Sequence, residues 1–590
     1  MIPAVLANST LPAGKILPAG KVARASFVRA LPAFAFLLIS SVPLHAQILN
    51  DGSFGGTFRN EIERSLPQPA LPSVQPKPAP DKQSAADGQD NLITVERFNF
   101  RGNIVLDEAV LRRVVAPYLG RPVSFADLQN AASGLALAYR ERGYVATVSI
   151  PRQEIIDGVV SFKIVEARFS GAVIDGNSNG RIHSELILSR IERALKLDKT
   201  VDTNALDRAL LLINDLPGAQ VTGGLTEGER DGETRVLVQS GYKPVFAGSI
   251  STDNFGSLAT GNRRTTVDMA LNSPNGRGEQ FSLSALHTEG TRYGRLGFSV
   301  PVGLNGSRLG FSGSTLEYEI VEGQAKISNI HGTSQTLSVD LSHPLVRSAP
   351  VNMFLTGSFG TKWFDNFSGT MVTRQYKTDA FTLALNGNWV DSFLSNASNS
   401  ASLSLVRGQL DLQDAQSRLT DAVMNRANGY FSKLQFSLGR NQIISETLTL
   451  AVNLAGQHAY KNLDSSEKFY LGGPSGIRAY PVSEGGGSSG LLLVTEARKK
   501  LPARFEASIF HNIGQVVQNV NNFAGMPTPN VQTFEGYGAS ISWKGPKNLS
   551  ISAIWARRMG NNPNPNLSTG SDQDGTKIIN RYWLSASVPF

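Results

Sequence analysis

Gly486-Gly-Ser488-Ser-Gly490 has the spacing of a serine-hydrolase elbow, G-x-S-x-G, and Gly485, Gly487 and Gly490 of the same tract match the phosphate-binding pattern G-x-G-x-x-G. An elbow needs a strand before the serine and a helix after it, and the phosphate loop needs a helix N-terminus to receive the anion. The tract runs instead into Leu491–Arg498, an alternating apolar and polar segment that reads as a strand, so both matches belong to one glycine tract suited to a loop that folds back. The 590 residues include no cysteine, which excludes disulfides, thiolate metal sites and a cysteine nucleophile, and the seven histidines lack paired ligand spacing. No enzyme chemistry, metal or cofactor is expected. The formal charge is +8, but Lys15, Lys21, Arg24 and Arg29 supply four of those charges within a stretch that holds no acid. The +4 that remains is too weak for a nucleic-acid footprint, and no nucleic-acid partner is expected.

Basic residues, an apolar core (Leu31–Val42) and Leu44-His45-Ala46 predict a signal peptide over 1–46, cut after Ala46. Residues 47–90 form an N-terminal segment and a linker, with six prolines between Pro67 and Pro80 favouring extended backbone. From 91 the pattern is mixed. A strand at Ile93–Phe100, helical periodicity over Asp107–Tyr118 and Ser124–Arg142, and strands at Tyr144–Ile150 and Val159–Val165 make a β-α-α-β-β module over 91–166. The order repeats over 167–240.

Over 241–590 the helical period gives way to strands, apart from a short stretch near Asp414–Asn428. Gln335, Leu337, Val339 and Leu341 alternate with Thr336, Ser338, Asp340 and Ser342, and the chain ends with Tyr582, Leu584, Ala586, Val588 and Phe590 on one side. About sixteen such segments suit a membrane barrel whose apolar face meets lipid around a polar lumen. A charged side chain on the lipid face costs on the order of 2–4 kcal/mol for Lys or Arg at the midplane, so parity is enforced. If Phe505, Ala507 and Ile509 face lipid, then Phe510, Asn512 and Gly514 face the lumen; Leu491, Leu493 and Ala497 likewise place Glu496 inside.

Four short segments carry a resemblance. Ile477-Arg478-Ala479-Tyr480 lies in a long loop, Phe510-His-Asn512-Ile-Gly514 in a later strand, and Tyr139–Tyr144 and Ile150-Pro-Arg-Gln153 in the first module. With the two mixed modules they resemble the TpsB family, the haemolysin secretion/activation transporters of two-partner secretion. The resemblance implies α+β POTRA domains followed by an all-β transmembrane barrel, in the outer membrane of a Gram-negative bacterium with the POTRA domains in the periplasm. It implies export, without ATP, of a dedicated unfolded exoprotein of the TpsA type carrying an N-terminal secretion domain. Outer-membrane lipid and the barrel-assembly machinery are the other partners implied, with Phe590 as the C-terminal outer-membrane signal. The alternative within the same superfamily is a barrel-assembly insertase.

The superfamily pairs its loop arginine with an Asp of the strand motif. Asn512 stands at that position here, so Glu496 is the candidate partner for Arg478, with Tyr480 packing beside Phe510 and an Asp at 512 tolerated. The family's N-terminal plug helix has only Phe54–Leu66, with Glu61 and Glu63, to draw on, which is short for a plug.

Overall fold

The computed structural model describes residues 54–66, 71–75, 92–323, 326–523, 529–566 and 568–590. The expected signal peptide and most of the linker lie outside them.

In the first module, Ser124 caps the helix Phe125–Glu141 reciprocally: its Oγ accepts the Asp127 N–H at 3.1 Å and its own N–H donates to the Asp127 carboxylate at 2.9 Å. The buried face of this helix, Leu128, Leu135 and Tyr139, packs with Leu111 of the helix Glu108–Val115 onto Val160 and Phe162 of the sheet. Leu137 is exposed rather than part of this core, because it lies on the opposite face. The central strand Val159–Glu166 lies between Arg97–Arg101, parallel to it, and Ala146–Ser149, antiparallel. The second module repeats this arrangement with a sheet of Arg168–Ile174, Glu233–Ser240 and Val221–Glu227, the last at an edge, and a core around Phe169, Ile187, Ile191 and Ile213.

Glu166 joins the modules. Buried at the end of its strand, it accepts from the Ile104 N–H at 2.7 Å, the Val105 N–H at 2.9 Å and the Tyr139 hydroxyl at 2.9 Å; its second oxygen accepts from Thr200 of the next module at 3.0 Å. Tyr139 of the Tyr139–Tyr144 motif is therefore a structural donor at this joint.

Sixteen further strands close into an antiparallel barrel from Phe246–Asp253 to Asn580–Pro589. Alternation sorts the faces: Leu337, Ile509 and Leu584 are exposed on the outer wall, while Glu496, Asn512 and Trp583 are buried in the lumen. Phe590 completes the seam, exchanging backbone hydrogen bonds with Gly248 at 2.9 and 3.0 Å and stacking its ring on Phe246.

The second module meets the turns at the barrel end where the first strand begins. Asp215 takes a bidentate pair of bonds from Arg347, both 2.8 Å, and Arg181 donates to the Ser273 carbonyl at 2.6 Å. Arg347 also holds Asn352, which with Asn388 grips the Pro72 carbonyl at 3.0 and 2.9 Å. This short described piece of the proline-rich stretch lies inside the same rim.

Candidate functional site

Two elements fill the lumen. The first is the helix Phe54–Ser65. Its side chains bond to the wall: Arg59, 1% exposed, donates to the Ser334 carbonyl at 3.1 Å, to the Ser334 hydroxyl and to the Ser314 hydroxyl. Phe58 packs on Tyr318 with ring centroids 5.2 Å apart. The helix therefore occupies the position of a plug. Twelve residues suffice because an inward-folded loop of the barrel meets it from the other side. Asn60 donates to the loop carbonyls of Ser466 and Lys468, each at 3.2 Å, and a Cβ on Gly56 would overlap Ser465 Oγ and fall 2.8 Å from the Ser466 backbone nitrogen.

That loop, the second element, lies between Leu448–Ala459 and Ser489–Lys500 and turns back into the lumen. Glu467 ties it to the wall through Lys433 at 2.8 Å and Lys362 at 3.2 Å, and Lys362 reaches Glu63 of the helix at 3.6 Å. Burial alone would raise the Glu467 carboxyl, but Lys362 and Lys433 outweigh it and hold it at about 2. Glu61 of the helix accepts from the Ser257 N–H at 3.1 Å, and burial pushes its carboxyl up to about 7 against the pull of Arg264. Glu484 of the loop accepts from the Gln573 N–H at 2.9 Å and is likewise raised by burial to about 7.

The motif residues sit at the loop's far anchor. Arg478 donates to Glu496 at 2.9 Å, and its guanidinium lies over the Phe510 ring, 4.0 Å from the centroid. Arg498 shares Glu496 at 3.5 Å. Trp583 Nε1 donates to the Arg478 carbonyl at 2.8 Å, fixing the backbone as well. Asn512 does a different job: its Nδ2 donates to the Gly476 carbonyl at 2.6 Å. Tyr480 packs on Phe534, 4.9 Å between centroids, beneath the Arg558 guanidinium, while Arg478 covers Phe510; Tyr480 and Phe510 belong to one buried apolar cluster, each faced by its own arginine. Ile477 lies against Gly514, and Ala479 against Gly536, where a Cβ would fall 2.5 Å away. The glycines let the loop lie flush on the wall.

Sequence reasoning missed Lys362, Lys433 and Glu467. Strand parity carries the signal for the two lysines, since each lies on the lumen side of its strand. For Glu467, inside an irregular loop, no local pattern pointed inward.

The family model described as haemolysin secretion/activation protein ShlB/FhaC/HecB matches residues 232–524, and that of the ShlB-type POTRA domain matches residues 93–167. This chain belongs to the haemolysin secretion/activation family. Among curated relatives, the heme/hemopexin transporter protein HuxB of Haemophilus influenzae is 25% identical over 586 residues, covering 96% of this chain and 99% of the relative. The outer membrane transporter CdiB of Dickeya dadantii is 23% identical, covering 68% of this chain and 71% of the relative. Among solved structures, CdiB from Escherichia coli superposes with a TM-score of 0.64 at 18% identity, covering 90% of this chain and 95% of that one, a likeness of fold. BamA from Haemophilus ducreyi lacking POTRA domains 1–3 reaches 0.51 at 12% identity, covering 85% of this chain and all of that one (100%). The protein is thus an outer-membrane transporter of the two-partner secretion type, with its POTRA region on the periplasmic side.

Proposed function

We propose that this transporter receives one dedicated unfolded exoprotein in the periplasm through the modules at 91–166 and 167–240 and passes it through the barrel of 241–590 to the cell surface. The observation that carries the reading is how the lumen is filled. The helix and the loop are held there by hydrogen bonds and ion pairs, contacts that a polar lumen and water can replace when a polypeptide displaces them, beside two apolar clusters around Phe58 and Ile62 of the helix and Ile477 and Tyr480 of the loop. Entry starts at a sheet edge. Thr222–Glu227 of the edge strand are exposed, and an edge offers backbone N–H and C=O groups to any extended segment, with side-chain pockets selecting the partner.

The partner is an exoprotein of the TpsA type with an N-terminal secretion domain, and its folding outside prevents backsliding, so the step runs without ATP. The barrel-assembly machinery inserts the barrel, with Phe590 as its terminal signal. Arg478 and Glu496 anchor the loop during transport. Removing residues 92–166 tests the route: the barrel should still insert while export stops. Export at the wild-type level in that truncation would move recognition elsewhere.

A further inference from the structure

Five cations gather at the periplasmic ends of two neighbouring hairpins: Lys499, Lys500 and Arg504 around the turn that leads into Phe505–Val517, and Lys544 and Lys547 around the turn that leads into Ser550–Arg558. All five are exposed, and among the described residues none of them forms an ion pair. Two side-chain carboxylates lie beside these turns, Glu506 opposite Lys500 and Glu446 in the adjoining turn, whose Thr447 carbonyl accepts the Lys500 N–H at 2.8 Å, and the strand that ends in the Phe590 carboxylate runs beside the second turn. The patch therefore keeps an excess of positive charge.

Its position relative to the bilayer follows from the strands. Phe505 and Trp543 lie opposite one another on the outer wall with ring centroids 6.2 Å apart and Ile551 opposite Trp543 on the next strand, followed toward the membrane centre by Ile509 and Ile541, the three isoleucines all exposed. Aromatic residues at strand ends mark the level where hydrocarbon meets headgroups, so the cations stand at headgroup level. The second module contacts turns on another part of the rim, at Ser273, Gly276 and Pro344.

The backbone adds an independent observation. Both turns run Pro-X-X, and both put two successive non-glycine residues in the left-handed region, Ala503 (φ 56°) and Arg504 (φ 64°) in one, Lys547 (φ 52°) and Asn548 (φ 58°) in the other. Glycine adopts this conformation without penalty and L side chains do so at a cost. Each turn spends one of these positions on a cation.

We infer that these two hairpins form a binding site for the phosphate headgroups of anionic glycerophospholipids in the periplasmic leaflet of the outer membrane. Lys499, Arg504 and Lys547 neutralise the headgroup charge, and the Phe505–Trp543 pair packs against the upper acyl chain. The site fixes the depth and tilt of this side of the barrel, on the part of the rim that the described contacts of the second module leave uncovered.

Trp543 supplies the probe. The full chain is refolded into phosphatidylethanolamine vesicles holding a small fraction of phosphatidylglycerol brominated near the glycerol, or the same fraction of brominated phosphatidylcholine. The Trp543 signal is the difference between wild type and Trp543→Phe. The anionic lipid should be enriched at Trp543 on the order of fivefold over the zwitterionic one, from the attraction of basic side chains to an anionic surface. The ratio should fall to about one in Lys499→Gln/Arg504→Gln/Lys547→Gln and in salt of roughly 1 M, where screening is short-ranged. Heat-modifiable gel mobility selects folded protein in every sample. Arg292→Gln/Arg407→Gln, which removes two exposed cations at the opposite end of the barrel, should leave the ratio unchanged. Equal quenching by the two lipids in wild type, persistence of the preference in the threefold variant, or an equal loss in the distant variant would overturn the site.

Discussion

Gly56→Ala separates a docked plug from a helix that merely sits in the lumen, because the two situations give opposite signs. In a helix free of its surroundings, alanine is more favourable than glycine by up to about 1 kcal/mol. In the docked helix the new Cβ would overlap Ser465 Oγ and lie 2.7 Å from the Tyr376 hydroxyl and 2.8 Å from the Ser466 backbone nitrogen. A hydroxyl can rotate away, but the backbone atom cannot move without the loop. Overpacking of this kind costs roughly 1–3 kcal/mol. We expect docking to weaken by about 2 kcal/mol, a roughly 30-fold rise in the released population. Single-channel conductance in planar bilayers reads this as a larger open fraction, with barrel assembly monitored by heat-modifiable mobility. Ser465→Ala in the same chain removes one clashing atom and should restore part of the closed fraction. An open fraction that is unchanged, or lowered by the better helix former, would refute the close approach on which the plug rests.

Arg478→Ala should depress secretion while leaving barrel assembly largely intact, and Arg478→Lys should rescue only in part, since an ammonium reproduces neither the forked donors nor the flat stacking on Phe510; secretion at the wild-type level in both would contradict the anchor. Asn512→Asp should weaken the loop rather than be tolerated, because a carboxylate would face the Gly476 carbonyl in place of the present 2.6 Å donor; protease sensitivity of the loop measures it. Glu467→Gln strands Lys433 in a buried site and should cost on the order of 2–3 kcal/mol of thermal stability, less when combined with Lys433→Met; a strictly additive pair would show no coupling. The carboxyls also predict opposite pH dependences. Glu467, held down at about 2, supports the closed state above the ordinary carboxylate range and loses that contribution as pH falls from about 4.5 toward 2. Glu61 and Glu484, raised to about 7, bind protons more tightly when docked, so the plug and loop should loosen as pH rises from about 4.5 to 7, seen as an open fraction that grows over that interval.

Much of the architecture was legible because it rests on periodicity. Alternation at Gln335–Ser342 and Asn580–Pro589 sets which side faces lipid, and the penalty for a charge on that side made the lumen position of Glu496 deducible before any contact was known. The Arg478–Glu496 pair was accessible by the same parity, because a motif fixed one partner and the strand fixed the other. Asn512 was harder. Its type revealed the loss of an acid, but its new role, donating to Gly476, depends on the path of an irregular loop that no period describes. The plug shows the same limit. Phe54–Ser65 carries an amphipathic pattern of ordinary length, and only the surrounding wall, with Ser314 and Tyr318 on one strand and Ser334 on its neighbour, all far along the chain from the helix, turns it into a stopper. Nothing local in the 273–279 turn or at Arg347, the last residue of the strand Ile330–Arg347, points to the second module, because these contacts are long-range, Arg347 reaching Asp215 across 132 positions.

The central claim, a pore serving one dedicated partner, is tested most directly by deleting the gene and comparing surface and secreted proteins with those of the parent strain. The account predicts that one exoprotein disappears from the surface and returns on complementation, while the other outer-membrane barrels remain inserted at normal levels. General loss of barrels, with no single exoprotein affected first, would contradict it and point instead to a barrel-assembly insertase.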